Sequence, residues 1–295
     1  MKALVTGGSG LVGRYIVETL LAAGYEVAVA GRTPPPSDLF SAPIGFRAFT
    51  LDAGDHPDTL FEGATSLVHA AFDHIPGRYR GGEGDEPEVF RKRNLGGSVR
   101  LFEAAKRAGL CRAVFLSSRA VYDGAPAGVA LTEDTDLAPA SLYGEVKLQC
   151  ERALSALDGP DFCTASLRLT GVYGDLRPNK WDGLIAEYLA GRPVPVRAGS
   201  EVHGRDVGRA VRLMLEADAA RVGGEAFNVS DLVVDTHDIL SAIKQASGSA
   251  HPLPGRADTA AVAEMACGKI RRLGWKPGGR DLLAATLAGL ARSEA

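Results

Sequence analysis

The chain has 295 residues, of which 45% are hydrophobic and 23% charged, and its formal net charge is -3. This length allows a large core, and the composition is that of an ordinary globular protein. The small net charge gives no reason to expect nucleic acid or an anionic membrane as a partner. No apolar run approaches the roughly 20 residues of a membrane span, and no signal peptide precedes the first strand, so we expect a cytoplasmic protein. The four cysteines are scattered and lack metal-ligand spacing, so we expect no metal.

The first predicted strand, which ends near Val5, runs directly into a glycine-rich turn and then into an amphipathic helix. Gly8, Gly10 and Gly13 have the G-x-G-x-x-G spacing of a dinucleotide-binding turn. Such glycines allow a tight turn, a close approach of the backbone to pyrophosphate and close packing of helix on strand. The free N–H groups of the helix would face the phosphates. We therefore predict cofactor contacts in this turn at Gly7, Gly10, Leu11, Val12 and Gly13.

The first half of the chain alternates predicted strands with predicted helices, which indicates the α/β class and a doubly wound parallel Rossmann sheet. Further strands are expected at 25–30, 46–52, 66–69, 112–117 and 163–169. Helices are expected from the glycine turn to Gly24, over 87–108 and over 142–157.

Beyond Leu169 the alternation weakens, and the pattern predicts a loop at 175–181, a helix at 183–190 and a strand at 194–197. A helix at 202–217 and a strand at 227–229 follow. We expect residues 201–229 to return to the dinucleotide-binding domain, 1–170. Segments 171–200 and 230–295 would then form a smaller, discontinuous C-terminal substrate domain. The polar segment 77–88 is either a mobile flap at the ligand edge of the sheet or a surface loop without a role.

Tyr143 and Lys147 lie four residues apart, and this spacing puts them on one face of the predicted helix. The pKa of free tyrosine is about 10, and a nearby ammonium favours the phenolate and lowers that pKa. Tyr143 is therefore a candidate general acid/base. Ser118, at the end of the fifth strand, is placed to hydrogen-bond the same substrate oxygen.

Taken in order, these motifs resemble the extended short-chain dehydrogenases/reductases, the family of the NAD-dependent epimerases and dehydratases. The resemblance covers about the first 230 residues, and the segments that carry it are 6–13, 51–52, 68–71, 94–97, 117–122, 143–147, 168, 172–174 and 206–207. It implies that Tyr143 is the acid/base, that Lys147 holds the nicotinamide ribose, and that Ser118 positions the reacting oxygen. It also implies that Asn94 lies in a helix kink and belongs to a proton relay behind Lys147.

The resemblance implies further cofactor contacts on two loops. Asp52, followed by Ala53, would contact the adenine amino group; its alternative role is that of a turn residue at a strand end. Ala70 and Ala71 would let the backbone lie against the cofactor, where larger side chains would clash. The preceding residue, His69, is expected to be structural.

The end of the second strand favours NADP over NAD, although NAD binding stays possible. An NAD site has an acidic residue there, whereas this chain has Gly31, followed by Arg32 and Thr33. A guanidinium offers a bidentate partner to a 2′-phosphate. Alternatively, Arg32 stacks on adenine and either cofactor binds.

Departures from the family pattern weaken the case for a nucleotide sugar as substrate. Dehydratases carry Thr and then Asp-Glu where this chain has Ser118-Arg119-Ala120, which argues against 4,6-dehydration. Gly171 stands where sugar-nucleotide members usually carry Asn, and the arginine expected to bind a diphosphate is missing from its place before Asp206. A smaller carbonyl, sugar, sugar acid or polyol is favoured. Candidate substrate contacts, each with packing or surface exposure as the alternative, are Phe72, His74, Arg119, Tyr173, Trp181 and His203.

We expect an enzyme that transfers a hydride between a nicotinamide and a carbinol or carbonyl carbon, with net oxidation or reduction as the first interpretation. The alternative is an epimerase with transient hydride transfer. A third possibility, a cofactor-sensing regulator, is disfavoured because Ser118, Tyr143 and Lys147 are all present. The resemblance also implies a homodimer formed through helices at 88–108 and 142–157, whose apolar residues include Val99, Leu101, Phe102, Val146, Leu148 and Leu154.

Overall fold

The computed structural model describes residues 1–52, 54, 58–75, 83–126 and 129–292. Its central feature is a parallel sheet of seven strands in the order β3-β2-β1-β4-β5-β6-β9, and a second sheet has the order β10-β8-β7. The strands are β1 (Lys2–Thr6), β2 (Glu26–Gly31), β3 (Gly45–Ala48), β4 (Ser66–His69), β5 (Arg112–Ser118), β6 (Cys163–Leu169), β7 (Gly171–Tyr173), β8 (Ala198–His203), β9 (Glu225–Val229) and β10 (Leu232–Asp235). The parallel doubly wound sheet predicted from the sequence is confirmed.

Helices lie on both faces of the seven-stranded sheet and around the small sheet. They are α1 (Gly13–Ala22), α2 (Pro87–Arg91), α3 (Gly97–Arg107), α4 (Leu142–Ser155), α5 (Asp182–Leu189), α6 (Gly204–Glu216), α7 (Ala219–Val222), α8 (Thr236–Ser247), α9 (Gly268–Arg271) and α10 (Gly279–Arg292). A π-helical turn, Lys92–Gly96, joins α2 to α3, and short 3-10 turns lie at Asp58–Phe61, Arg119–Tyr122 and Thr259–Ala261.

Strand β2 has no polar alternation because both faces of the sheet are covered. Val27 and Val29 pack into one apolar core with α1 and α6, while Ala28 and Ala30 pack into another with α3 and α4. Successive side chains of a strand point to opposite faces, so a sheet covered on both faces needs apolar residues at every position. The order of the strands reverses between β1 and β4, and ligands of such sheets bind at this point.

Most predicted elements of the first half lie where the sequence pattern indicated, and β4 and β6 have the predicted bounds. The third strand is shorter than expected, Gly45–Ala48. The single helix predicted over 87–108 is interrupted by the π-helical turn. Strand β9 pairs with β6 in parallel and so returns to the main sheet as predicted.

The second half differs more. The strand predicted at 194–197 is wrong, because strand β8 begins only at Ala198. Strand β8 also includes the first two residues of the helix predicted at 202–217. Strand β8 pairs with β7 and β10 rather than with the main sheet. This small sheet packs with α5, α8 and α10 around the buried residues Trp181, Ile185, Leu240 and Leu287. The limits of the two predicted domains stay a prediction.

Five of the six apolar residues proposed for a dimer face are buried within the chain, and the sixth, Val99, is partly exposed. Leu101, Phe102, Val146, Leu148 and Leu154 are each 5% exposed or less and belong to its own cores. The apolar character of these five positions reflects packing within the chain, because a helix packed between the sheet and a neighbouring helix is apolar on more than one face. The homodimer stays a prediction. Among the described residues, no helix is long and apolar enough to span a membrane.

Candidate active site

The glycine turn leaves no room for side chains. Gly7 has a φ of 66°, in the left-handed region, and a Cβ there would lie 2.7 Å from the backbone nitrogen of Ala71. A Cβ on Gly13 would collide with the carbonyl oxygen of Gly7, so the start of α1 packs directly on the turn. A Cβ on Gly10 would meet only the Gly7 carbonyl, at 3.2 Å. The backbone is therefore open to close approach at Gly10, as a dinucleotide site requires.

A cleft of about 400 Å³ adjoins this turn. Its walls are Ser9, Gly10, Leu11, Arg14, Thr33, Pro34, Pro35, Pro36, Leu39, Arg177 and Pro178. Thr33 lines the cleft, and the neighbouring Arg32 is exposed directly after β2. A glycine backbone and a helix N-terminus at the switch point of the sheet fit a dinucleotide.

Sequence reasoning missed one residue of this cleft, Arg14. Its side chain is buried and donates hydrogen bonds to the carbonyl oxygens of Arg177 and Pro178, the latter at 2.9 Å. Arg14 thereby ties the first helix to the loop between β7 and α5. No motif signals this bond, because its partners are backbone atoms far away in the sequence.

Lys147 lies buried at the end of β5. Its ammonium donates a 2.7 Å hydrogen bond to the carbonyl oxygen of Leu116 and lies 4.2 Å and 4.7 Å from the ring centroids of Phe72 and Phe115. Burial lowers the pKa of Lys147 to about 8, and the charge of Glu151 acts in the opposite direction. The cation is thus held by one carbonyl and by aromatic faces.

Tyr143 lies in the first turn of α4, which begins there because the Ser141 hydroxyl accepts the N–H of Gly144 at 3.1 Å. Its ring centroid is 5.8 Å from the Lys147 ammonium. Gly144 packs closely on the turn at 119–122, which Ser118 caps by accepting the N–H of Ala120 at 3.2 Å. The three predicted catalytic groups therefore lie at the carboxyl edge of the sheet, on neighbouring elements.

Residues around the predicted flap reach this edge as well. The Glu83 carboxylate accepts the backbone N–H of Tyr143 at 3.2 Å, which sequence reasoning did not anticipate. The first part of that segment, 77–82, lies outside the described residues. Phe72 meets the Tyr143 ring edge-on at 5.2 Å, and His74 lies 3.1 Å from the Phe72 carbonyl oxygen through Nδ1. Phe72 thus contacts Tyr143, and His74 lies next to Phe72.

Asn94 lies in the π-helical turn, so the predicted helix irregularity is present. Its side chain accepts the N–H of Asp73 at 2.7 Å and donates to the Asp73 carbonyl at 2.8 Å. These bonds fix the loop after β4, whereas the ammonium of Lys147 bonds to Leu116. A role of Asn94 in a proton relay stays a prediction.

The carboxylate of Asp52 pairs with Arg93 at 2.7 Å, and the same guanidinium lies 3.1 Å from Asp73. Arg93 thus joins the loops after β3 and β4 next to the predicted adenine position. Whether Asp52 contacts a cofactor stays a prediction, and Ala53 lies outside the described residues.

His69 has the structural role expected of it. Its ring is fully buried, with Nδ1 2.6 Å from the Thr6 hydroxyl and Nε2 2.8 Å from the Ser98 hydroxyl. It connects β4 with β1 and α3. The next residues, Ala70 and Ala71, bond through their N–H groups to the carbonyl and hydroxyl of Thr6, which holds their backbone against the glycine turn.

The other predicted substrate contacts are engaged within the chain. The Arg119 guanidinium lies 3.2 Å from an Asp123 carboxylate oxygen and 3.2 Å from the Ala263 carbonyl. Tyr173 and Trp181 are buried and stack with centroids 4.8 Å apart. His203 packs edge-on against Tyr173 at 5.0 Å, so these three aromatic residues form a cluster of their own.

One buried and one partly exposed ion pair also escaped sequence reasoning. Arg168 and Glu151 pair at 2.8 Å between β6 and α4, and Lys180 pairs with Glu201 beside β7. Neither pair has a helical spacing, so only the fold brings the partners together. The sequence signals the second pair only indirectly, because Gly171 stands where a larger residue would collide with Lys180 and Glu201.

A sequence profile of the NAD dependent epimerase/dehydratase family matches residues 3–230. The chain belongs to this family. It is 30% identical to the UDP-glucose 4-epimerase of Mycolicibacterium smegmatis over 278 residues, which are 84% of this chain and 83% of that protein.

Two solved structures resemble the whole chain. The UDP-glucose 4-epimerase of Thermus thermophilus, in complex with NAD, is 26% identical, with a TM-score of 0.78 and full coverage of both chains. MoeE5 in complex with UDP-glucose and NAD is 26% identical, with a TM-score of 0.79 and full coverage of both chains. The match to two other UDP-glucose 4-epimerases, from rice (Oryza sativa subsp. japonica) and Streptomyces lividans, spans only 38% and 46% of their length.

Proposed function

We propose that this protein is an enzyme that oxidises a secondary carbinol of a sugar-type substrate and reduces it again, as an epimerase does. The observation that carries the proposal is the Lys147 ammonium, buried 5.8 Å from the ring centroid of Tyr143 at the ligand edge of the sheet. The similarity to UDP-glucose 4-epimerases supports epimerisation over net oxidation or reduction, which the sequence alone favoured.

When bound, a nicotinamide dinucleotide supplies the hydride acceptor and donor for this chemistry. The phenolate oxygen of Tyr143 takes the proton of the substrate hydroxyl and later returns it. The Lys147 cation favours that phenolate, and the Phe72 ring packs against both groups. The Ser118 hydroxyl donates to the reacting oxygen. Gly10, Thr33 and the start of α1 would hold the dinucleotide.

A net dehydrogenase or reductase is the second candidate. It is favoured by Gly171 and by the missing arginine before Asp206, since both separate this chain from the sugar-nucleotide members of the family. The two candidates use the same acid/base. They differ in whether the reduced cofactor accumulates.

The cofactor is proposed to be NADP in preference to NAD. Gly31 ends β2 without a carboxylate, and Arg32 and Thr33 follow at the rim of the cleft. A 2′-phosphate there would meet a cation and no anion from these residues. The similar solved structures described above were determined with NAD, so the preference has to be measured on this chain.

The test is Tyr143→Phe, with UDP-glucose, glucose and galactose as trial substrates. We expect turnover to fall by about 10²–10⁴-fold, because the phenol handles the proton, while dinucleotide binding stays within about twofold. Chromatography of the products and the absorbance of the reduced nicotinamide separate epimerisation from net oxidation.

The matched control is Tyr25→Phe. Tyr25 precedes β2 at the opposite edge of the sheet and bonds to Glu216 at 3.2 Å, so turnover should be retained. Full turnover in Tyr143→Phe would refute the proposed function. Dinucleotide binding without turnover in the unmodified protein would favour the regulator.

A further inference from the structure

Strands β7 and β8 bring a set of polar side chains to one face of the small sheet. They pair in parallel, with Gly171 opposite Glu201 and Tyr173 opposite His203. Leu169, two residues before Gly171, pairs with Ser118 in the main sheet. This face therefore begins at the sheet edge that carries the proposed catalytic serine.

The absence of a side chain at Gly171 makes room for an ion pair. A methyl group there would collide with both the Lys180 ammonium and the Glu201 carboxylate. Lys180 bonds to Oε1 of Glu201, and its side chain is 23% exposed, so the pair is reached from the side of Lys180. Burial lowers the pKa of Lys180 and raises the pKa of Glu201.

Three buried polar atoms on this face have no hydrogen-bond partner within the described residues: Tyr173 OH, Glu201 Oε2 and His203 Nε2. Nδ1 of His203 accepts the N–H of Arg205 at 3.0 Å, so in the neutral ring Nε2 carries the hydrogen. The nearest carboxylate oxygen to Nε2, from Asp175, is 3.8 Å away, beyond hydrogen-bond distance. Burial lowers the pKa of His203 to about 4 and raises that of Tyr173, which keeps both groups uncharged at neutral pH. The face thus offers two donors and one acceptor, and buried polar groups are rarely left unpaired.

Hydroxyl groups complement this set, because each donates one hydrogen bond and accepts others. A phosphate at neutral pH chiefly accepts, and the charge of Lys180 that it would approach is already neutralised by the Glu201 carboxylate, which repels an anion. We propose that Glu201 and Lys180 bind hydroxyl groups of an uncharged polyhydroxy substrate, a free sugar or polyol, and exclude a diphosphate. This inference rests on the proposed function and narrows its substrate class.

The experiment uses the full chain with free hexoses, their sugar alcohols and UDP-glucose as substrates, and UDP alone as the anionic probe. We expect turnover of a free sugar or polyol. In Glu201→Gln and Lys180→Met, KM for that compound should rise about tenfold, the loss expected for one charge-assisted hydrogen bond, while dinucleotide affinity stays unchanged. Because an ammonium remains without its carboxylate, Glu201→Gln should also bind UDP about tenfold more tightly than the unmodified protein.

Removing one member of a buried ion pair can unfold a protein, so the double variant Lys180→Met/Glu201→Gln is made as well. It leaves no unpaired charge and should show the higher KM. The matched controls are Glu187→Gln and Arg192→Met, which break an exposed ion pair between α5 and the residues that follow it and should change neither KM nor UDP binding.

Turnover of UDP-glucose but of no free compound would overturn the inference. So would an unchanged KM in all three variants, or a tenfold loss of UDP affinity in Lys180→Met, because the lysine would then bind phosphate. Each of these results is compatible with a Tyr143-dependent epimerase. Failure of the proposed function is recognised separately, by full turnover in Tyr143→Phe.

Discussion

At Lys147, burial and the proposed chemistry make opposite demands on one ammonium group. The side chain is 5% exposed, and the carboxylate one turn away, Glu151, already pairs with Arg168. Burial favours the neutral amine, yet the acid/base chemistry of Tyr143 needs the cation. We therefore expect the buried Lys147 ammonium to lower the free energy of unfolding while it supports the proposed chemistry of Tyr143.

Lys147→Met is expected to raise the free energy of unfolding by about 2 kcal/mol at pH 7 while abolishing turnover. The folded-state pKa of about 8 lies below the ordinary value of 10.5, so the unfolded chain binds this proton more tightly. The stability of the unmodified protein should accordingly rise, relative to the variant, as the pH increases from 8 to 10.5. Urea unfolding across this range measures the difference.

The control for this prediction is Lys106→Met. Lys106 is exposed and also bonds to a backbone carbonyl, that of Leu157, at 2.7 Å. Its replacement should change the free energy of unfolding by less than about 0.5 kcal/mol, as is usual for an exposed side chain. A loss of stability in Lys147→Met at pH 7 would contradict the argument from burial.

Arg32 decides the predicted cofactor preference. If its guanidinium binds a 2′-phosphate, Arg32→Ala should weaken NADPH binding about tenfold or more and change NADH binding little. Fluorescence titration of both reduced cofactors measures this, with Arg192→Ala as a control on a distant exposed arginine. A tenfold preference of the unmodified protein for NADH would contradict the prediction.

At the level of elements, a chain of buried polar bonds joins α4, β6 and β9 beneath the site. Arg168 pairs with Glu151 and donates to the Tyr122 hydroxyl at 2.6 Å, which donates in turn to Asn228 at 2.9 Å. Ser117 also bonds to Glu151, so the residue before the proposed catalytic serine is held by this network.

Arg168→Met should therefore lower the free energy of unfolding by about 3–5 kcal/mol, because it leaves the Glu151 carboxylate buried and unpaired. The double variant Arg168→Met/Glu151→Gln should lower the free energy of unfolding by less than Arg168→Met alone does. Arg212→Met, which breaks an exposed pair on α6, should cost less than about 1 kcal/mol. Urea unfolding measures both variants. Equal losses of unfolding free energy in Arg168→Met and Arg212→Met would contradict the argument that burial makes the loss of Arg168 more destabilising.

At the scale of the whole molecule, a homodimer stays a prediction based on the family resemblance alone. Five of the six apolar residues proposed for its interface pack inside the chain, and Val99 alone of the six is partly exposed. Sedimentation equilibrium should give twice the mass of one chain, and a mass equal to one chain would count against the prediction.

Local sequence patterns were sufficient for the first half of the fold. The alternation of strand and helix patterns predicted β4 and β6 with their observed bounds, and the glycine spacing predicted the turn before α1. The separation of Tyr143 and Lys147 along one helix predicted their proximity. These features depend on residues a few positions apart, and periodicity within one element captures them.

The part of the site proposed to recognise the substrate, on β7 and β8, depends on the tertiary structure. Strands β7 and β8 are short and are separated by the long stretch between Tyr173 and Ala198, so neither has a strong periodic signal of its own. The pairing of Lys180 with Glu201, and their meeting at Gly171, require those strands to be in register. The sequence by itself determined a dinucleotide fold and the proximity of Tyr143 to Lys147, because these are local patterns. Only the tertiary structure brought together the groups proposed to recognise the substrate, because their contacts join residues distant along the chain.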